Sequence, residues 1–116
     1  MKNMKQRKKD KAVKYDFGKL RYDLLPVKAL EKIVKVYNYG ATKYPDDRNW
    51  EKGLSWSRVF GALQRHTWAF WSGETTDKES RMQHLAHAAW CCLALLEYEE
   101  THPELDDRPK YLGHAK

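Results

Sequence analysis

Residues 73–92 read GETTDKESRMQHLAHAAWCC, and this stretch organises the chain because three carboxylates and two imidazoles directly precede an apolar run. Thr76 and Glu79 have the spacing of a capping box, in which a hydroxyl and a carboxylate bond to each other's backbone N–H groups. A helix is therefore predicted to begin near residue 79 and to continue to about residue 99.

The charged side chains of this stretch have the composition of a metal site. His84 and His87 lie three residues apart, so they share one face of the predicted helix. Glu74, Asp77 and Glu79 lie in the lead-in loop and first turn, where a compact fold could bring their oxygens near both rings. These five residues are predicted to bind a divalent metal. Helix capping and the macrodipole explain each carboxylate equally well when it is taken alone.

The same helix carries a second stripe of apolar residues. Leu85, Ala89, Cys92 and Leu96 recur at helical spacing, which predicts that they pack inward. Cys91 and Cys92 are the only cysteines, and two adjacent cysteines disfavour an ordinary disulfide. Small buried helix residues in a reducing compartment are expected at these two positions.

Length and charge limit the classes of protein to which this chain can belong. A chain of 116 residues forms one domain, and no apolar run approaches the ~18 residues that a membrane span requires. Seven basic residues against one acidic residue give residues 1–14 a charge of +6, so the other 102 residues are neutral overall. Residues 1–13 are therefore predicted to be a flexible basic tail, in which weak nucleic-acid contact is the alternative to a solubilising role. A cytoplasmic protein without membrane contact is expected.

Apolar periodicity predicts an all-α fold of three main helices near residues 25–42, 55–72 and 79–99. These helices lie in a helical domain of residues 14–100, followed by a polar C-terminal tail at residues 101–116. The number of Trp and Phe side chains is large for so small a core, which favours a homo-oligomer.

Two groups of residues are predicted to bind a phosphorylated ligand. Arg58 and Arg65 lie on one helical stripe with small residues between them, an arrangement that suits a phosphate. Surface ion pairs with nearby acids are the alternative. The segment before the first helix supplies both signs of charge, through Lys14, Asp16, Lys19 and Arg21. A loop that binds a phosphate or its metal would have this composition. A loop that forms salt bridges to its own domain would look the same.

The turn after the first helix is predicted to bind a base. Asn49 and Trp50 could hydrogen-bond to it and stack on it, and Lys43 and Tyr44 lead into this turn. A short connection between the second and third helices makes them antiparallel neighbours, which places His66 near the start of the third.

The motifs combine into one recognisable set: Lys14-Tyr-Asp-x-Gly-Lys-x-Arg-Tyr-Asp-Leu-Leu-Pro26, Tyr39-Gly-Ala-x-Lys-Tyr44, Asn49-Trp50, Trp56-Ser-Arg58, Arg65-His66 and Gly73-Glu-x-x-Asp-x-Glu-Ser with His84-Leu-Ala-His87. Over residues 14–98 the chain resembles the N-terminal domain of the phage and bacterial dATP/dGTP diphosphohydrolase family. The resemblance implies hydrolysis of a purine deoxynucleoside triphosphate to monophosphate and pyrophosphate, on a helical domain similar to the MazG-like pyrophosphohydrolases. For a phage protein it also implies the host cytoplasm.

Under this resemblance Glu74, Asp77, Glu79 and His66 are predicted to be catalytic, with Mg²⁺ or Mn²⁺ as the cofactor. The chain departs from the E-x-x-E and E-x-x-D pairs of MazG-like enzymes, because its last helix offers His84 and His87 instead. Direct imidazole ligation would favour manganese, cobalt, nickel or zinc. A protein that binds or sequesters a nucleotide without turnover is the alternative function.

Overall fold

The computed structural model describes residues 10–112 as three α-helices joined by irregular segments: α1 (Val27–Lys43), α2 (Trp56–Trp71) and α3 (His84–Thr101). Short 3-10 turns occupy Tyr22–Leu24, Asn49–Lys52, Pro103–Leu105 and Lys110–Leu112. The described residues form no strand, only one isolated bridge between Thr76 and Gln83. The prediction of an all-helical fold is confirmed for this part of the chain. Most of the predicted basic tail is residues 1–9, which lie outside the residues that the structure describes.

α2 and α3 form an antiparallel hairpin, and α1 packs chiefly against α3. The centre of the hairpin is a cluster of buried residues: Trp56, Val59, Cys91, Ala94 and Tyr98. Tyr98 is fully buried, and its hydroxyl donates a hydrogen bond to the carbonyl of Trp50. The side chains that face α2 from α3 are mostly small, which lets the two helices approach closely.

The start of α3 and its buried face both differ from the prediction. The helix begins at His84 rather than near residue 79, because Arg81 adopts a left-handed backbone conformation (φ 67°) that interrupts any helix before it. The stripe predicted to pack inward is wrong: Leu85, Cys92 and Leu96 are exposed. The buried stripe runs instead through His84, Ala88, Cys91, Ala94 and Tyr98.

The segment after α3 folds back over the start of α2. Asp107 accepts hydrogen bonds from the backbone N–H and the hydroxyl of Ser57, in the first turn of α2. The Trp56 indole N–H donates to the carbonyl of His102 at 3.2 Å. Gly53 has φ 106°, a backbone conformation that strains any other residue, and a Cβ there would also crowd Leu105 Cδ1 at 2.7 Å and the His102 ring at 3.0 Å.

None of the helices described here is long and apolar enough to span a membrane.

Candidate functional site

A cavity of about 540 Å³ lies between α1, the Asn49–Lys52 turn, α2 and α3. This volume is within the range of small-molecule sites. Its polar and charged lining residues are Tyr37, Tyr39, Lys43, Tyr44, Asp47, Asn49, Arg58, Arg65, His66, Asp77, Glu79, Ser80 and His87. Many of the residues predicted to bind ligand or metal therefore share one cavity.

The loop between α2 and α3 closes one end of the cavity. Gly73 follows the end of α2 with a positive φ of 109°. The chain then leaves the helix pair and turns back towards it before α3. Two backbone hydrogen bonds hold its limbs together: Asp77 N–H to the Met82 carbonyl at 2.8 Å, and His84 N–H to the Thr75 carbonyl at 3.0 Å. The loop is thereby held so that its carboxylates face the helices.

Two imidazoles and a carboxylate form a hydrogen-bonded chain at this end. His84 Nε2 lies 3.0 Å from Glu74 Oε1, and His84 Nδ1 lies 2.9 Å from Nδ1 of His66 on α2. A carboxylate only accepts when ionised, so we infer that His84 carries its proton on Nε2 and that its Nδ1 lone pair faces His66. Only 4% of the His84 surface is exposed, so this orientation is enforced by packing.

A second chain of hydrogen bonds runs from Asp77 through Ser80 to His87. Asp77 Oδ2 lies 2.8 Å from both the backbone nitrogen and the hydroxyl of Ser80. The Ser80 hydroxyl oxygen lies 2.7 Å from His87 Nε2 and also accepts from the Met82 N–H at 3.2 Å. Because the hydroxyl proton points to Asp77, we infer that His87 donates its Nε2 proton to Ser80 and has a lone pair on Nδ1.

The pKa values of these groups follow from burial and from the bonds just described. Burial lowers the pKa of His66 and of His87, and the neighbouring imidazoles lower both further. Burial alone would raise the pKa of Asp77, but the two hydrogen bonds from Ser80 outweigh it and the pKa falls below its ordinary value. The site at neutral pH therefore combines an ionised Asp77 with neutral His66 and His87.

The donor set fits a transition-metal ion. His66, Asp77 and His84 each offer one ligand atom, and the three atoms lie within 4.8 Å of one another. The 2.9 Å between the two Nδ1 atoms is close to the roughly 3 Å between ligands at a right angle on an octahedral ion bound at ~2.1 Å. The Nε2 proton of His84 is held by Glu74, as is usual for a metal-binding histidine. Two imidazoles with one carboxylate suit manganese, cobalt, nickel or zinc better than magnesium.

Glu79 lies at the cavity rim, apart from these three ligand atoms. Its Oε2 lies 3.2 Å from Lys43 Nζ and 3.5 Å from the hydroxyl of Tyr39, and its side chain is 71% exposed. The bond to Glu79 raises the pKa of Lys43. Glu79 thus places Lys43 at the cavity mouth.

The arginine stripe of α2 faces the same cavity. Arg58 and Arg65 both line it, seven residues apart along one side of the helix, and neither forms an ion pair with another described residue. Within the described residues, the alternative that these two arginines form surface ion pairs with nearby acids is thus not observed. Two guanidinium groups beside the imidazole cluster provide a region of positive charge inside a concave surface.

The turn after α1 contributes a mostly aromatic wall. Tyr44 and Asn49 line the cavity, as does Trp50. The Trp50 ring also packs in the core, with ring centroids 6.0 Å from Tyr37 and 6.2 Å from Trp90. Much of this ring is therefore occupied by protein contacts, and only part of it faces the cavity.

The segment before α1 lies outside the cavity. None of the residues predicted there to bind ligand lines it: Lys14, Asp16, Lys19 and Arg21. Arg21 forms a bidentate ion pair with Asp23, with distances of 2.8 and 2.7 Å. At Arg21 the structure therefore shows the alternative to ligand binding, in which the charges of this loop pair with the protein itself.

Ser80 and Tyr39 are site residues that the sequence reasoning did not assign. Ser80 bonds to Asp77 and His87 at once, and the Tyr39 ring meets the His87 ring edge-on at 6.4 Å. The spacing Asp77-x-x-Ser80 is the available signal, because an Asp side chain often accepts from a backbone N–H shortly after it in a turn.

The chain matches the family model described as "dATP/dGTP diphosphohydrolase, N-terminal" over residues 9–108. A protein of Salmonella phage PMBT28 named dATP/dGTP diphosphohydrolase is 30% identical over 96 residues, which cover 83% of this chain and 32% of that protein. The chain therefore spans about a third of the length of this relative. No solved structure matches the chain significantly.

Proposed function

This chain belongs to the dATP/dGTP diphosphohydrolase family, and we propose on that premise that it hydrolyses a purine deoxynucleoside triphosphate to the monophosphate and pyrophosphate in a metal-dependent reaction. The observation that carries the proposal is that two arginines line the same cavity as His66 and Asp77 of the candidate metal cluster. Cationic side chains bind the phosphate and a metal-binding cluster activates the water, and the reaction requires that the two lie close together.

Arg58, Arg65 and Lys43 bind the triphosphate in this proposal. Guanidinium groups bind phosphate oxygens through two parallel hydrogen bonds, and they also neutralise charge that develops as the phosphorus–oxygen bond breaks. Glu79 holds Lys43 by a bond at 3.2 Å, so the ammonium group is already placed when the nucleotide arrives.

His66, Asp77 and His84 would hold the metal ion, and Glu74 would orient His84. When bound, such an ion lowers the pKa of a water and polarises phosphate oxygens. The proposed ligand set differs from the sequence-based one, since His66 joins Asp77 and His84 while Glu74, Glu79 and His87 are no longer ligands.

His87 is the residue that we propose accepts the proton of the attacking water. Its Nε2 is bonded to Ser80, its ring faces the cavity, and its lowered pKa keeps it neutral at pH 7. The His66 ring stacks on it at 4.5 Å, with 8° between the planes, which limits its rotation. Ser80 and Asp77 therefore orient the base through the other ring nitrogen.

Asn49 and Tyr44 belong to the mostly aromatic wall of the cavity, where the base would bind. An amide can donate to and accept from a purine edge, and an aromatic ring can stack on the base. This arrangement supports a nucleotide rather than inorganic polyphosphate as the substrate.

The test is a panel of the four deoxynucleoside triphosphates and their ribonucleotide counterparts, each with Mg²⁺, Mn²⁺, Co²⁺, Ni²⁺ or Zn²⁺. Ion-pair chromatography would identify the products. We expect monophosphate and pyrophosphate from dATP or dGTP, with a transition metal at least as effective as magnesium.

Asp77→Asn should abolish turnover while leaving the helical content unchanged. Glu31→Gln is the matched control, because Glu31 lies exposed on α1 outside the cavity lining. Nucleotide binding without turnover under every metal would reject the enzyme and favour the second candidate function, a nucleotide-sequestering protein.

A further inference from the structure

Gly40 lies in the last turn of α1, where its carbonyl accepts a hydrogen bond from the Tyr44 N–H at 3.1 Å. After proline, glycine is the least favourable residue in a helix. Its usual compensation is a positive φ, which other residues rarely adopt, but Gly40 does not have one. The conformation of the backbone therefore does not account for a glycine at this position.

Packing within the chain does not account for it either. A Cβ on Gly40 would meet no atom of the described residues within 4 Å, apart from its chain neighbours and the backbone of its own helix. Gly61, the other glycine within a helix, lies against a side chain, because its Cβ would be 3.4 Å from Arg65 Nη1. The remaining glycines that the structure describes have a positive φ: Gly18, Gly53 and Gly73.

The open space beside Gly40 belongs to the candidate site, because this residue lines the cavity. Lys43 and Tyr44 line it as well, and they follow Gly40 by three and four residues, so they are its neighbours along α1. On α2 the lining residue between the two arginines is Ala62, which is also small. The backbone of α1 is thus accessible from the cavity beside a cation and an aromatic ring.

We infer that the deoxyribose of the bound nucleotide packs on the bare backbone of α1 at Gly40, and that this glycine determines whether the nucleoside part of the ligand fits. The inference rests on the proposed function, in which Lys43 binds the triphosphate and Tyr44 belongs to the wall that binds the base. The sugar of a nucleotide joins these two parts. Lys43 Nζ lies 5.7 Å from the centre of the Tyr44 ring, so the sugar must lie close to both residues. Only glycine lets a ligand approach the backbone this closely.

Gly40→Ala should change stability and binding in opposite directions. Alanine favours the helix, and its methyl group would enter open space, so the melting temperature should rise by about 2 to 6 °C. The same methyl group would occupy the place of the sugar. The affinity for the α,β-imido analogues of dATP and dGTP, which cannot be cleaved at that bond, should therefore fall roughly ten- to a hundredfold in calorimetry with Mn²⁺. An unchanged affinity would overturn the inference.

Asn38→Ala is the matched control for the change in helix stability. Asn38 is exposed on α1, two residues before Gly40, and does not line the cavity. Alanine favours a helix more than asparagine does, so this variant should also raise the melting temperature while leaving the affinity for both analogues unchanged. An equal loss of affinity in Asn38→Ala would attribute the effect to helix stability and reject a contact at Gly40.

Inorganic tripolyphosphate separates the sugar from the phosphates. It carries no sugar, so Gly40→Ala should bind it as tightly as the wild type does. A loss as large as that for the nucleotide analogues would place Gly40 beside the phosphates and overturn the inference. The factor by which affinity falls should also be the same for all four deoxynucleotide analogues, because the sugar is common to them. A loss confined to one base would assign Gly40 to the base instead.

The wild-type titrations distinguish failure of this inference from failure of the proposed function. A wild-type protein that binds tripolyphosphate but none of the nucleotide analogues would reject the proposed function, and the sugar contact with it. A wild-type protein that binds the analogues, together with a Gly40→Ala variant that binds them equally well, would reject the sugar contact alone.

Discussion

Ser80→Ala tests whether the hydroxyl at the centre of the site holds Asp77 and His87 in place. The substitution removes the O–H that donates to Asp77 at 2.8 Å and the oxygen that accepts from His87 and from the Met82 N–H. A hydrogen bond to a charged group contributes about 1.5 to 3 kcal/mol. Ser80 and Asp77 are only half-buried, so water replaces part of the loss and the lower end applies. Adding the weakened N–H contacts, we expect a loss of about 2 kcal/mol at pH 7.

The pH dependence of this loss has a definite sign. Asp77 has a folded-state pKa below its ordinary value of 3.8, so its contribution is present above that pH and disappears as the pH falls through the folded-state pKa. Ser80→Ala raises the folded-state pKa towards the ordinary value. The difference in stability between the two proteins should therefore be full at pH 7 and shrink below about pH 4.

Urea unfolding followed by tryptophan fluorescence at pH 7, 5 and 3.5 would measure the difference. Ser80→Thr keeps the hydroxyl and should recover at least half of the loss. Ser72→Ala is the matched control, because it removes an exposed hydroxyl that donates to the Ala69 carbonyl at 3.0 Å, and it should change stability by less than about 0.5 kcal/mol. A Ser80→Ala protein as stable as the control, or a difference that does not shrink in acid, would refute the reasoning.

Three further predictions concern the arginine stripe, the core and the C-terminal segment. Arg65→Ala should weaken nucleotide binding by roughly ten- to a hundredfold in calorimetry, and Arg65→Lys should restore it only partly, because an ammonium group cannot make the paired contacts. Tyr98→Phe should lower the free energy of unfolding by about 1 to 1.5 kcal/mol, since the Trp50 carbonyl loses its donor, and an unchanged value would contradict that bond. The bond to Glu104 raises the pKa of His102 above 6.5, so its contribution is full below pH 6.5 and is lost as the pH rises through the higher folded-state value. Melting curves should then show His102→Gln to be destabilising at pH 6 and nearly neutral at high pH, and a pH-independent effect would reject this account.

Helix α2 was predictable from the sequence within one residue at each end, and α1 within two, because their apolar periodicity and flanking Pro, Ser and Gly residues agree. The start of α3 was not predictable in this way. Thr76 and Glu79 have capping-box spacing, but Asp77 accepts from the Ser80 N–H instead and closes a turn. The two capping patterns are offset by one residue here, and the backbone bonds of the loop, Asp77 N–H to Met82 and His84 N–H to Thr75, accompany the second pattern.

The buried face of α3 shows why residue size can mislead. α3 is apolar over most of its circumference, so periodicity alone does not select one face. A preference for large side chains selects Leu85 and Leu96, whereas the face packed against α2 carries Ala88 and Ala94. Small residues allow the two backbones to approach, and side-chain size in the sequence gives no sign that the leucines stay exposed.

The late start of α3 has a consequence for the chemistry of the site. In a helix that began at residue 79, Ser80 and His84 would lie on one side, and Asp77 would precede the first turn. The observed loop instead turns back on itself, so Asp77 and Glu74 approach the two imidazoles from opposite directions: Glu74 bonds to the outer nitrogen of His84, and Asp77 faces the cavity beside His66. Two short backbone hydrogen bonds hold this arrangement, and helix packing holds the histidines. The geometry of the proposed ligand set therefore depends on loop closure as well as on the helices, and for this reason we expect substitutions at Ser80 to affect the site more than substitutions of equal size within α2.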